Sequence, residues 1–540
     1  MARTTSIALR AGTWCVAVLA CVAPAIWAAS ACSTTTPVSG RRAPVRLAIG
    51  YAGPGRISGV GARALGYLIT SERLVQFRRD GRVEPSLAER WEQSPDGLTW
   101  RFWIRPNLTF HDGKPIDAEV SARHLRACRA GGCRDIATVE TDGPLTVVIR
   151  MRRPSALLLD SLNDVAIYSD EAREVSAGPF RWVPITPGKE AGPDGRETYT
   201  FEAFRQFHRG YPTIDRIDLK VFPNARNAWA AMMRGEVDML YEVAPDALDF
   251  IEQSSNTQVR SFLRPFVVQM SFNIRHPVLA DPDVRRALNM AVNRTEIIRR
   301  VFRDHAYPAT DHVWPRHWAY DHELPRLRYD PSKAIELMEA KGLRIQTAAG
   351  ANRAGRTDTP SRFRFTCLTL EGDMRYERMG LLLQRQLAEV GIDMRIEVLP
   401  FGDLTKRLAN GQFDAFLFEM ISNAGLDRVY QWWHSPEGAP KLADSGYTAA
   451  DAALDRIREA RTEEETRQAV RSLQQVMRED PPAIFLLWPD QARAVSARFR
   501  VPLTPDRDII ATLSQWALVD APDSPLANPS PLPRSSPSSP

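Results

Sequence analysis

The stretch EPSLAERWEQSPDGLTWRFWIRPNLTFHDGKPIDA, residues 84–118, packs a strand, two turns and a helix start into one run. From Leu98 to Arg105, bulky Leu98, Trp100, Phe102 and Ile104 alternate with Thr99, Arg101, Trp103 and Arg105. A period of two predicts a half-buried strand. Asp96–Gly97 before it and Asp112–Gly113 after it predict turns, because glycine accepts positive φ and aspartate bonds the backbone that follows it. His111 is read as part of the second turn, and Asp117 as the N-cap of a helix over AEVSARHLR.

Working outward, two distant segments repeat a pattern: NAWAAMMRGEVDMLYEV from Asn227 and DLTKRLANGQFDAFLFEM from Asp403. Each predicts a helix, a glycine stop at Gly235 or Gly411, then Asp238 or Asp414 opening an apolar strand suited to the core of an α/β sheet. Turn and cap chemistry accounts for both aspartates. The repetition predicts two similar lobes.

The 84–118 unit resembles the family 5 extracellular solute-binding proteins of ABC importers. Further blocks agree: GPFRW from Gly178, GEVDMLY from Gly235, FNIRHPVLADPDVRRALNMAVNRTEII from Phe272, YDPSKAIELMEAKGL from Tyr329, LLLQRQLAEVGIDMRIEV from Leu381 and GQFDAFLF from Gly411. The resemblance spans roughly residues 45–520. It implies a type II periplasmic-binding-protein fold of the α/β class, two lobes joined by a two-segment hinge, with an extra subdomain in the first lobe. On that layout the first lobe takes residues 41–80, 175–265 and a return over 485–520, the subdomain 81–174, and the second lobe 266–484. The crossings are expected near Phe266–Ser271 and Phe485–Trp488, where a ligand touching both lobes favours closure.

Composition agrees with a large folded body: 540 residues, 44% hydrophobic and 25% charged, suffice for two or three domains. The first 31 residues, with Arg3 and Arg10 ahead of AGTWCVAVLACVAPAIWAA, predict an export signal. Ala29, Ser30 and Ala31 precede Cys32, which predicts either lipidation of Cys32 with residues 33–40 as a tether, or plain cleavage after Ala31 and a free thiol. The formal charge of +5 falls to +3 without Arg3 and Arg10, and interspersed charges give no sign of nucleic-acid binding. Residues 521–540, rich in Pro and Ser, are expected to be disordered. Cys128 and Cys133, separated by RAGG, are expected to form a disulfide in an oxidising compartment, the alternatives being two thiols or a metal half-site.

No GxSxG, HExxH or GxxxxGK[ST] is present, so neither a hydrolytic constellation nor a nucleotide loop is expected. The reading is a non-enzymatic receptor, a monomer without cofactor or metal, that captures a peptide or peptide-like solute and delivers it to a permease served by a separate ATPase. The alternative is a lipoprotein of the same fold used for signalling or for a metal chelate or haem. His305, His312, His317 and His322 raise that possibility, but their spacing fits no ligand motif and solvated loop histidines account for them. Peptide-binding relatives carry an amine-binding aspartate where Ala424 stands here, which turns the expectation away from dipeptides with a free amino terminus. The candidate ligand-facing residues are Tyr51 and Arg56 after the first strand, Gln269 and Ser271 on the first crossing, and Met420, Ile421, Ser422, Asn423, Ala424 and Trp432.

Overall fold

The computed structural model describes residues 43–52, 58–129, 131–169, 173–184, 196–243, 245–345, 360–435, 443–502 and 508–519. The leader, Cys32, the tether, Arg56 and the Pro/Ser tail lie outside these residues.

The opening stretch folds as its alternation requires. The strand covers Thr99–Ile104, with Trp100, Phe102 and Ile104 buried and Arg101 exposed. Gly97 and Gly113 take φ of +75° and +83°. Asp96 accepts from Leu98 N at 2.9 Å and Asp112 from Lys114 N at 3.1 Å. The following helix, Ala118–Ala127, is capped by Asp117, whose carboxylate accepts from Val120 N at 2.9 Å. Asp117→Ala is expected to cost about 1 kcal/mol of stability, read as a lower urea midpoint at unchanged slope. These strands form a four-stranded antiparallel sheet in the order Ala88–Gln93, Thr99–Ile104, Thr146–Met151, Ile136–Thr141, closed over its own apolar core. A disulfide joins Cys128 and Cys133, with Cα atoms 5.8 Å apart, just after the helix.

The main sheet has two halves. One runs Phe180–Trp182, Thr198–Ala203, Arg216–Phe222, Arg46–Ala52, Met239–Leu240; the other runs Phe266–Phe272, Ala415–Ile421, Phe363–Leu370, Ile392–Leu399. Apolar clusters pack against both halves, and the central strands Phe266–Phe272 and Ala415–Ile421 are mostly apolar and buried, whereas the outer Thr198–Ala203, Arg216–Phe222 and Ile392–Leu399 alternate. A single long strand, Ala483–Ser496, belongs to both halves. Its start pairs with Phe266–Phe272 through Ala483↔Ser271 to Leu487↔Val268; its end pairs with Thr257–Leu263 through Asp490↔Leu263 to Ser496↔Thr257. The changes of partner therefore fall at Arg264–Pro265 and Trp488–Pro489. The first change falls directly before the expected Phe266–Ser271 and the second at the end of the expected Phe485–Trp488, while Phe266–Phe272 and Ala483–Leu487 pair within the second half. Only the pairing shows which neighbour each residue meets.

Gly235 and Gly411 take φ of +71° and +65° after helices Ala225–Met233 and Phe401–Ala409. Asp238 and Asp414 do more than cap a turn. Asp238 accepts from Ala48 N at 2.8 Å and Asp414 from Thr366 N at 2.9 Å, each on the neighbouring parallel strand. The corresponding carboxylate thus satisfies an N–H inside the neighbouring strand in both halves, a non-local role invisible in the local motif.

Candidate functional site

A cavity of about 720 Å³ lies between the two halves of the sheet and the segment leading to the small sheet. That size suits a small organic solute. The first half contributes Leu68, Phe262 and the run from Asp508 to Gln515; the leading segment contributes Glu72, Arg73, Phe77 and Arg78; the second half contributes Pro265, Trp314, Asn423 and Ala424.

Its acids are committed. Glu72 is buried, accepts from the Ser86 hydroxyl, and has Arg209 at 3.6 Å and His208 at 3.8 Å. Burial pushes its pKa up, but these neighbours outweigh burial and hold it below the usual carboxylate range. Asp508 caps the Ile509–Gln515 helical turn through Ile510 N at 3.2 Å and binds the buried Arg493 at 2.8 Å. Arg493 also stacks 3.9 Å over the Tyr241 ring.

Of the residues expected at the ligand, Asn423 and Ala424 line this cavity. Asn423 has φ of +63°, its carboxamide accepting from Ala424 N at 2.9 Å, and the backbone N–H groups of Ser422 and Asn423 both donate to Pro265 O. The chain after the strand is thereby folded onto the crossing. Ser422 is buried, donating to His312 O at 2.8 Å, and Met420 packs in the core. Ile421 is exposed, and Trp432 donates to its carbonyl at 3.1 Å. Gln269 and Ser271 do not face the cavity: both are fully enclosed in the sheet, Gln269 Nε2 donating to Ser271 Oγ at 2.8 Å. Tyr51 is half-buried at the end of its strand, 5.3 Å from the Tyr241 ring. Glu419, nearby in the strand, is paired with Arg264 at 2.9 Å.

The histidines of the 305–322 loop correct one reading. His312 and His317 are not solvated; both are buried, and desolvation pulls each pKa down to about 3, so each ring is neutral. His312 Nδ1 accepts from Trp433 Nε1 at 2.7 Å, and Trp433, next to Trp432, lies in the core. His111 is half-buried beside Gly178 O at 3.0 Å, with its pKa lowered by desolvation to about 4.

The sequence reading passed over Glu72, Arg73, Phe77, Arg209, Trp314 and Asp508. A signal existed for part of this set: the run SERLVQFRRDGR, 71–82, clusters arginines on a short hairpin that no core requirement explains.

The family described as "Bacterial extracellular solute-binding proteins, family 5 Middle" matches residues 82–440. The "Probable di/tripeptide-binding protein 5" of Pseudomonas aeruginosa is 27% identical over 403 residues, covering 66% of this chain and 72% of that protein. The oligopeptide-binding protein AppA of Bacillus subtilis is 23% identical over 470 residues, covering 80% and 83%. Among solved structures, NikA from Brucella suis in complex with Fe(III)-EDTA superposes with a TM-score of 0.73 at 17% identity, over 87% of this chain and 99% of that one. AppA from Bacillus subtilis in complex with a nonapeptide gives 0.69 at 20%, over 88% and 99%. These likenesses establish the periplasmic-binding-protein fold, and with the family match over most of the chain they lead to one conclusion: this protein belongs to family 5 of the bacterial extracellular solute-binding proteins.

Proposed function

We propose that the protein captures a peptide or peptide-like small solute outside the cytoplasmic membrane, closes its two lobes over it and delivers it to an ABC permease. The observation that carries this reading is the cavity of about 720 Å³ between sheet halves joined, among the described residues, by two strand crossings. Two crossings let the halves rotate, and a solute touching both stabilises the closed arrangement by its own contact energy. Relatives named for dipeptides, oligopeptides and glutathione support peptide-like cargo. Capture needs no covalent step, and the absence of a phosphate loop in the sequence assigns ATP hydrolysis to another subunit. Among the described residues no helix is long and apolar enough to cross a membrane. The reading places attachment at Cys32, through a lipid added after cleavage before it, with the monomer displayed on the outer face.

Native mass spectrometry of the exported chain, before and after partial unfolding and dialysis, tests the reading. A discrete added mass released on unfolding is expected to identify a peptide or a compound containing amide bonds. A bare protein whose melting temperature no peptide mixture raises would remove the peptide assignment.

A further inference from the structure

We propose that this cavity selects an anionic solute, one whose carboxylate is taken by Arg73 and Arg78, over a solute presenting a free ammonium. The inference rests on the capture reading above and names the chemistry of the cargo.

The cavity wall carries four guanidinium groups, on Arg73, Arg78, Arg79 and Arg209, and two carboxylates, on Glu72 and Asp508. Both carboxylates are occupied: Glu72 by Arg209 and the Ser86 hydroxyl, Asp508 by Arg493. An entering ammonium would meet fixed positive charge and would have to take an acid from a partner it already holds. Asn423, Ala424, Pro265 and Trp314 on the opposite wall supply no charge.

An entering carboxylate meets the reverse. Arg73 is half-buried, and its Nε is enclosed without a hydrogen-bond partner among the described residues. A buried guanidinium N–H left unmade is costly, and a ligand oxygen that accepts it removes that cost as well as adding a charge-assisted bond. Arg78, on the exposed turn of the Val75–Phe77 and Val83–Pro85 hairpin, makes no side-chain ion pair among the described residues: Asp80, which feels its charge, is bonded by Arg82 at 2.7 Å. It sits at the mouth of the same cavity, where it can steer an anion inward and close on it. Phe77, Phe180 and Phe262 offer an apolar wall to the body of the solute. A planar anionic group with an uncharged, partly apolar remainder fits; a carboxylate at the end of a blocked peptide and that of a sugar acid share this chemistry.

The full chain, freed of co-purified solute by partial unfolding and dialysis, would be titrated calorimetrically with paired probes. One set comprises an N-acetylated tripeptide acid, its C-terminal amide, and the same amide with a free amino terminus; the other comprises a sugar acid and its neutral reduced alcohol. At least one acid is expected to bind about 10-fold or more tightly than its neutral partner, weakening with added salt. Arg73→Gln and Arg78→Gln are each expected to abolish that preference, while Arg90→Gln, on the exposed face of the small sheet, keeps it. Arg78 is exposed, so its variant remains informative even where Arg73→Gln fails to fold. Equal binding of acid and neutral partner, tighter binding of the free-amine amide, or no binding of any acid would overturn the inference. Preference for the acid within the sugar set alone would uphold it while overturning the peptide reading.

Discussion

Gly81→Ala is expected to weaken solute binding about 10- to 100-fold while leaving the fold intact. Gly81 sits in the turn of the hairpin that follows the cavity segment, with φ of +82°. A Cβ there would lie 2.2 Å from the carbonyl oxygen of Ala424 and 2.7 Å from His317 Cδ2, both in the second half of the molecule. The first neighbour is backbone and cannot rotate away. The hairpin must therefore retreat from the second lobe, together with its other contacts there: Trp318 N donating to Asp80 O at 2.9 Å, Arg82 stacked 4.6 Å over Trp318, and Arg82 paired with Glu463 at 3.1 Å. Overpacking of this kind costs about 1–3 kcal/mol. Because that cost falls on the enclosed state, affinity drops by the corresponding factor. Gly113→Ala is the matched control, since Gly113 has φ of +83° and nothing within 4 Å of an added Cβ. Both variants carry the same backbone strain, and only Gly81→Ala carries the clash. Titration with the solute identified by native mass spectrometry, and the radius of gyration with that solute bound, would separate them. Equal affinity of the two variants would show that the contact does not govern closure.

The second large effect is on pH dependence. Asp160, in the short helix Leu157–Leu162 beside the small sheet, accepts from Leu426 N at 2.6 Å across to the second lobe. Asp427 follows directly and is buried, accepting from Ser161 Oγ at 3.4 Å and Gln431 Nε2 at 3.3 Å, while its Oδ1 has no partner among the described residues. Desolvation, then the charge of a neighbouring carboxylate, pushes both pKa values well above the ordinary range: Asp427 acts on Asp160, and Asp164 on Asp427. Arg428, paired with Asp164, opposes this without cancelling it. Raised carboxylate pKa values mean that the docked state binds more protons than the separated or unfolded chain once pH exceeds about 4. Stability of the docking is therefore greatest below that range and is lost as pH rises through the raised values. The melting temperature is expected to fall by a few degrees between about pH 5 and pH 9 from these groups. Asp160→Asn with Asp427→Asn should flatten that slope, with the largest gain at alkaline pH. An unchanged slope in the double variant would place the proton uptake elsewhere.

What the sequence determined by itself was local in origin. The alternation from Leu98 to Arg105, the cap at Asp117, and the left-handed glycines at 97, 113, 235 and 411 follow from side-chain period and backbone freedom within a few residues. The resemblance across the chain then supplied the two-lobed fold. The tertiary structure alone decided what depends on partners far along the chain. It set the crossings at Arg264–Pro265 and Trp488–Pro489, because a crossing is a change of pairing partner between strands distant in sequence, which local composition does not mark. It buried His312 and His317, drawing a proline-rich loop against Trp433 and the sheet. It enclosed Gln269 and Ser271 in the sheet, where period alone cannot tell a sheet face that meets solvent from one covered by helices. It also assembled the cavity from Glu72, Arg73, Arg209, Trp314 and Asp508, residues up to several hundred positions apart. Their charges become a binding site only where folding leaves Arg73 partly unpaired and pairs off every acid beside it.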